Sequence, residues 1–151
     1  TLKISDFGLA KVRPDRARYE TDQFCMTGET GSYRFMAPEV YRYEQYTETV
    51  DIYSYAMIFY YLLSGSPPWP TLNGIKAVQA AATEGRRPCI PRHWDQRLSS
   101  LLQQCWDENP SARPSFELIL ERLNKYSREV LRMSSNDIAM VNVQRKCCNI
   151  L

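Results

Sequence analysis

Asp6-Phe7-Gly8 is the first stretch of this sequence whose residue types suggest chemistry. A carboxylate such as Asp6 is an oxygen ligand suited to a hard divalent cation. Gly8 permits the backbone turn beside it. One acidic residue next to a glycine does little alone, so the rest of the chain must supply its partners. Thiol and imidazole ligation offers no alternative centre. There are five cysteines and one histidine, and no two cysteines fall in a C-x-x-C pair, so a zinc set is not expected. About thirty residues on comes Ala37-Pro38-Glu39, a second acidic residue set beside a proline.

The elements that position these residues follow from periodicity and breakers. Residues 1–9 read as a short strand and turn. Residues 10–38 hold charges, Thr, Gly and a closing Pro without a sustained period. A structureless stretch of that length predicts a long functional loop. "TVDIYSYAMIFYYLLS" over 49–64 is apolar on every side, which predicts a buried helix. Gly65, then Pro67 and Pro68, stop it. A helix is expected over 72–83, ended by Gly85 and Pro88. "DQRLSSLLQQCW" places Leu98, Leu101, Leu102, Cys105 and Trp106 on one helical face, and Asn109-Pro110 ends it. Ser115 caps a last long helix, with Glu117 in its first turn and Phe116, Ile119, Leu120, Leu123 and Tyr126 along one side. Beyond Arg132 the pattern decays into a polar tail. The order is a strand stub, a long loop and about four helices, a mainly α chain.

Bulk properties bound the rest. At 151 residues, 44% hydrophobic and 24% charged, the chain can build one domain with a sizeable core. A net charge of +2, with no basic stripe, argues against a nucleic-acid partner. No apolar leader opens the sequence, and its longest apolar run, Tyr55–Leu63, is too short to span a bilayer. The cysteines read as reduced thiols, which sets the expected location as cytoplasmic.

Four stretches then gain meaning together. "DFGLAK", "TGSYRFMAPEV", "DIYSYAMIFYYLLSGSPPWP" and "CWDENPSARPSF" occur in this order over about 115 residues. D-F-G and A-P-E bracket the activation loop of a protein kinase. The chain resembles the C-terminal lobe of a eukaryotic protein kinase over roughly residues 1–131. Within that family it is similar to the tyrosine kinase-like group of Ser/Thr kinases, the Raf-like and mixed-lineage relatives. The resemblance implies a partial kinase domain over 1–131, with the activation loop at 6–39, a helical lobe at 40–131 and a tail at 132–151.

It also implies roles. Asp6 would hold Mg2+ against the phosphates of ATP, and the packing of Phe7 beside Gly8 would set active or inactive states. Tyr19, Thr21, Thr27 and Thr30 are hydroxyls of the loop, with Thr27 and Thr30 the preferred phosphorylation pair and Lys11 and Arg13 basic neighbours. Each hydroxyl has the alternative of a plain solvated loop position. Ser32 and Tyr33 fall in the segment that cradles the substrate, where the Ser32 hydroxyl would bond the catalytic Asp. The Pro-containing segment usual before A-P-E in tyrosine kinases is absent, which favours protein Ser/Thr substrates. Glu39 would form a buried ion pair with Arg113. Asp51 would complement a helix dipole and accept N–H bonds from the catalytic loop. Tyr53 and Ala56 replace the more frequent Trp and Gly of the D-x-W-S-x-G pattern. His93, between Arg92 and Trp94, is expected at or near the surface.

Several family motifs do not occur before Asp6: the glycine-rich loop, the strand lysine, its helix Glu partner and H-R-D-x-x-x-x-N. The expectation is a piece of an ATP- and Mg2+-dependent kinase, inert alone, with an apolar patch left uncovered on helix 49–64. A first residue other than Met agrees. The alternative is a non-catalytic, kinase-like interaction module. Finally, Cys148-Asn149-Ile150-Leu151 fits C-a-a-X with Leu last, the geranylgeranyl form. Cys147 offers a palmitoylation site, and Arg145 and Lys146 a small basic patch, which together would give membrane association. The alternative is an ending that carries no lipid.

Overall fold

The computed structural model describes residues 32–130. Among these there are helices and turns and no strand. A short 3-10 turn, Ser32–Phe35, leads into the single-turn helix α1, Pro38–Tyr41. The first falls inside the stretch 10–38 that periodicity predicts as loop, and the second begins at its last residue. Four-residue elements are too short to show a period, but Pro38 at the helix start and Glu39 in the first turn are ordinary start signals.

Helix α2 spans Thr49–Ser64. Gly65 ends it in the left-handed conformation, φ 69°, and donates its N–H to the Tyr61 carbonyl. Helix α3, Gly74–Ala82, is shorter than expected because Asn73 caps it, accepting the Lys76 N–H at 2.8 Å. Helix α4, Gln96–Cys105, starts at Asp95, whose carboxylate accepts the Arg97 N–H at 2.9 Å. A 3-10 turn, Pro110–Ala112, follows. Residues 116–130 form α5 as far as they are described, and the Ser115 hydroxyl accepts the Leu118 N–H at 3.4 Å.

One core joins them. Ile52, Tyr53, Ala56 and Met57 of α2 pack with Leu101, Leu102, Cys105 and Trp106 at α4, Ile119 of α5 and Ala37. Those α2 positions recur at helical spacing, so they share one face. The small residues Ala77, Ala80, Ala81 and Ala82 bury one side of α3 and let it lie close to α1 and the 32–35 turn.

Two burial expectations are corrected. The apolar helix 49–64 is not buried on all sides but carries the uncovered apolar patch also expected on it: Leu62 is 76% exposed and Ile58 49%. A helix with no polar stripe carries no signal for which side faces inward, and one side of α2 stays uncovered among the described residues. On α5, Ile119 is buried and Leu123 and Tyr126 half-buried, while Phe116 and Leu120 face outward. Phe116 keeps an edge-on contact with the Tyr55 ring of α2 at 5.7 Å between ring centres. No helix among the described residues is long and apolar enough to cross a membrane.

Candidate functional site

The segment 32–39 is fastened to the helical body at three places. The first is its C-terminal end. Arg113 donates from Nη1 to Glu39 Oε1 at 2.6 Å and from Nη2 to Glu39 Oε2 at 3.0 Å. Both side chains are buried. The same guanidinium donates to the Thr49 carbonyl at 3.0 Å and, through Nε, to the Asp107 carbonyl at 2.9 Å. A buried charge is costly unless paired and hydrogen-bonded. Here one arginine meets a carboxylate in the parallel fork geometry, and its other donors tie the start of α2 to the turn after α4.

The second fastening is Ser54 on α2, whose hydroxyl donates to the Phe35 carbonyl at 2.9 Å. The third is Arg34. Its guanidinium donates to the carbonyls of Pro68, Trp69 and Leu72, the latter two at 2.6 and 2.7 Å. Sequence reasoning passed over both residues. Their partners are main-chain carbonyls, which leave no mark in residue types.

Behind this segment, Tyr53 lies fully inside, with the Arg113 guanidinium 5.2 Å and the Arg87 guanidinium 5.4 Å from its ring centre. Its hydroxyl has no hydrogen-bond partner among the described residues. Loss of solvent pushes its ionisation up to about 12. At the adjoining edge, Arg42 and Arg87 share Glu108, at 2.9 and 2.7 Å. They also reach the C-terminal end of α3, Arg42 donating to Ala82 O at 2.8 Å and Arg87 to Ala81 O at 3.2 Å. That places positive charge where the last helical carbonyls lack partners. Although partial burial opposes it, the two arginines hold the Glu108 carboxyl below its ordinary value.

Of the residues singled out in the sequence, Glu39 and Arg113 are thus brought together. Tyr33 is half-buried in the 3-10 turn, beside Ser32. Asp51 lies exposed in the first turn of α2, where a carboxylate complements the helix dipole. His93 is exposed, Cys105 buried and Cys89 exposed. Lys11, Arg13, Asp6, Phe7, Gly8, Tyr19, Thr21, Thr27 and Thr30 lie outside the described residues, as do Arg145, Lys146, Cys147 and Cys148. Among the described residues no three His, Cys, Asp or Glu side chains gather as a metal set.

Comparison with known proteins places this arrangement. The family model for protein tyrosine and serine/threonine kinase matches residues 1–123. Serine/threonine-protein kinase STY17 of Arabidopsis thaliana is 40% identical over 129 residues, which is 85% of this chain and 21% of that protein. Serine/threonine-protein kinase VIK of the same plant is 42% identical over 130 residues, 82% of this chain and 28% of its own length. Serine/threonine/tyrosine-protein kinase HT1, also from Arabidopsis thaliana, is 34% identical over 125 residues, 83% of this chain and 30% of its own. The chain therefore spans less than a third of each of these relatives.

Proposed function

The chain belongs to the protein tyrosine and serine/threonine kinase family, and on that premise we propose that it is the substrate-side and helical part of a kinase that phosphorylates Ser and Thr on proteins. The observation that carries this reading is the buried Arg113–Glu39 pair. It fixes the end of the 32–39 segment to the helical body, the rigidity a substrate-positioning loop requires. The mainly helical fold and the relatives named as Ser/Thr kinases agree with it, as does the similarity to the tyrosine kinase-like group.

In this reading residues 30–39 form the substrate side and Asp6 holds Mg2+ with ATP. Bound there, the ion neutralises charge on the phosphates during transfer. The chain's own contribution is positional. Glu39, Ser54 and Arg34 fasten the loop, and Ser32 and Tyr33 lie within it. The 151-residue chain alone lacks the glycine-rich loop and H-R-D motifs and transfers no phosphate. Membrane attachment through Cys148 stands as a separate proposal, tested by Cys148→Ser and membrane partition.

The test uses the protein carrying the complete catalytic domain, with ATP, Mg2+ and matched peptides that differ only in offering Ser, Thr or Tyr. Labelling of Ser and Thr but not Tyr is expected. Labelling of Tyr as well would replace the reading with dual specificity. Absence of transfer to any hydroxyl would leave the interaction module. Transfer by the isolated 151 residues would refute their inertness.

A further inference from the structure

The stretch Ser66-Pro67-Pro68-Trp69-Pro70 links α2 to α3 and is poor in donors. Three of its five residues are prolines without an N–H, while all five keep a carbonyl. Its backbone is also bent tightly. Trp69 sits at φ 47°, in the left-handed region that a bulky side chain seldom adopts. Leu72 closes the turn by donating its N–H to Trp69 O at 3.0 Å. The carbonyls of Pro68, Trp69 and Leu72 consequently converge, and aligned carbonyl dipoles of like sense repel. Trp69 O has the Leu72 N–H; the carbonyls of Pro68 and Leu72 draw on a donor from elsewhere.

Arg34 is that donor. It comes from 34 to 38 residues earlier in the chain, is half-buried, and places Nη1 on Pro68 and Trp69 and Nη2 on Leu72. Among the described residues no carboxylate pairs with it. Among the described residues its charge is therefore directed at carbonyl oxygens.

We propose that Arg34 is a positioning residue that locks the 32–39 segment to the 66–72 turn, and so sets how firmly the protein substrate is held. The inference rests on the kinase reading, because the 32–39 segment is its substrate side. The lock works in both directions. The turn lends Arg34 a fixed set of acceptors, and Arg34 lends the turn the donors its prolines lack. Loss of the guanidinium frees Tyr33 and Phe35 to move against α2 and leaves three clustered carbonyls with fewer partners. The lock acts on the substrate segment, so the proposal expects nucleotide binding to be left alone. Lysine keeps the charge and three donors but not the planar fork, so it restores the lock only in part.

The experiment compares wild type, Arg34→Met and Arg34→Lys in the protein carrying the complete catalytic domain. With Arg34→Met, the KM for a peptide substrate is expected to rise about tenfold or more, the effect of losing charge-assisted hydrogen bonds. The KM for ATP should stay within about twofold, with Arg34→Lys between the two. Amide hydrogen exchange on the same proteins should quicken in peptides covering 32–41 and 65–73, and not in α4 or α5. An unchanged peptide KM, or a uniform loss across both substrates with exchange raised throughout, overturns the proposal. A wild type that transfers no phosphate defeats the kinase reading and the KM claim with it. The exchange pattern then still decides whether Arg34 is the lock.

Discussion

Arg113 grips Glu39 across 74 residues of sequence, through both terminal nitrogens of its guanidinium, in a site closed to solvent. The pair joins the end of the 32–39 segment to the turn that precedes α5. Removing either partner leaves an uncompensated buried charge, which costs about 3–5 kcal/mol. Glu39→Ala and Arg113→Ala are each expected to lose that much in denaturant unfolding. The double variant should lose little more than either alone. Simple additivity in the cycle would show that the two side chains act independently.

Tyr53→Phe removes a buried hydroxyl that has no partner among the described residues. It is expected to leave stability unchanged or to raise it by about 1 kcal/mol, since an unsatisfied buried polar group costs about 1–3. A loss above about 1 kcal/mol would mean that the hydroxyl has a partner.

The same residue governs part of the alkaline behaviour. In the folded chain its ionisation rises from 10.0 to about 12. A raised folded value means stability is full below pH 10 and falls as pH climbs through about 12. Buried Cys105, moved from 9.0 to about 12, adds a decline that begins lower. Thermal unfolding between pH 8 and 12 should show a shallower decline in Tyr53→Phe, with the Cys105 part remaining. Identical slopes in the two proteins would contradict the assignment.

Gly65 closes α2 at φ 69°, and the space around a Cβ there is empty. Gly65→Ala therefore meets no clash, only the backbone cost of the left-handed region. A loss of about 1–2 kcal/mol is expected by chemical denaturation. No loss would mean that the helix end readjusts.

Met57 and Leu62 lie on the same apolar helix with opposite surroundings, Met57 fully buried and Leu62 76% exposed. In the 151-residue chain Met57→Ala should cost about 2–5 kcal/mol. Leu62→Lys should change stability by less than about 0.5 kcal/mol and reduce self-association in sedimentation. A large destabilisation by Leu62→Lys would show that this face is covered in solution.

Much of this was legible in the sequence because the signals are local. Gly65 after an apolar run, the i, i+3, i+4 pattern through Leu98 and Trp106, and Ser115 before α5 each mark an element by neighbours within a few residues. The D-F-G and A-P-E brackets marked the family through order and spacing. The approximate bounds of α3 missed the Asn73 cap, because Leu72 reads equally well as the first helical residue. The sidedness of α2 was hidden, because an all-apolar helix offers no polar stripe to orient it.

The sequence by itself determined the helical order, the family resemblance and the candidate residues, since these depend on residue type and short-range spacing. Tertiary structure alone decided which side of α2 is covered, and which distant groups answer one another. Arg34 finds three carbonyls and Ser54 a fourth. Every residue carries a carbonyl, so no sequence pattern announces which of them an arginine will reach. Only the folded path of the chain brings donor and acceptor together.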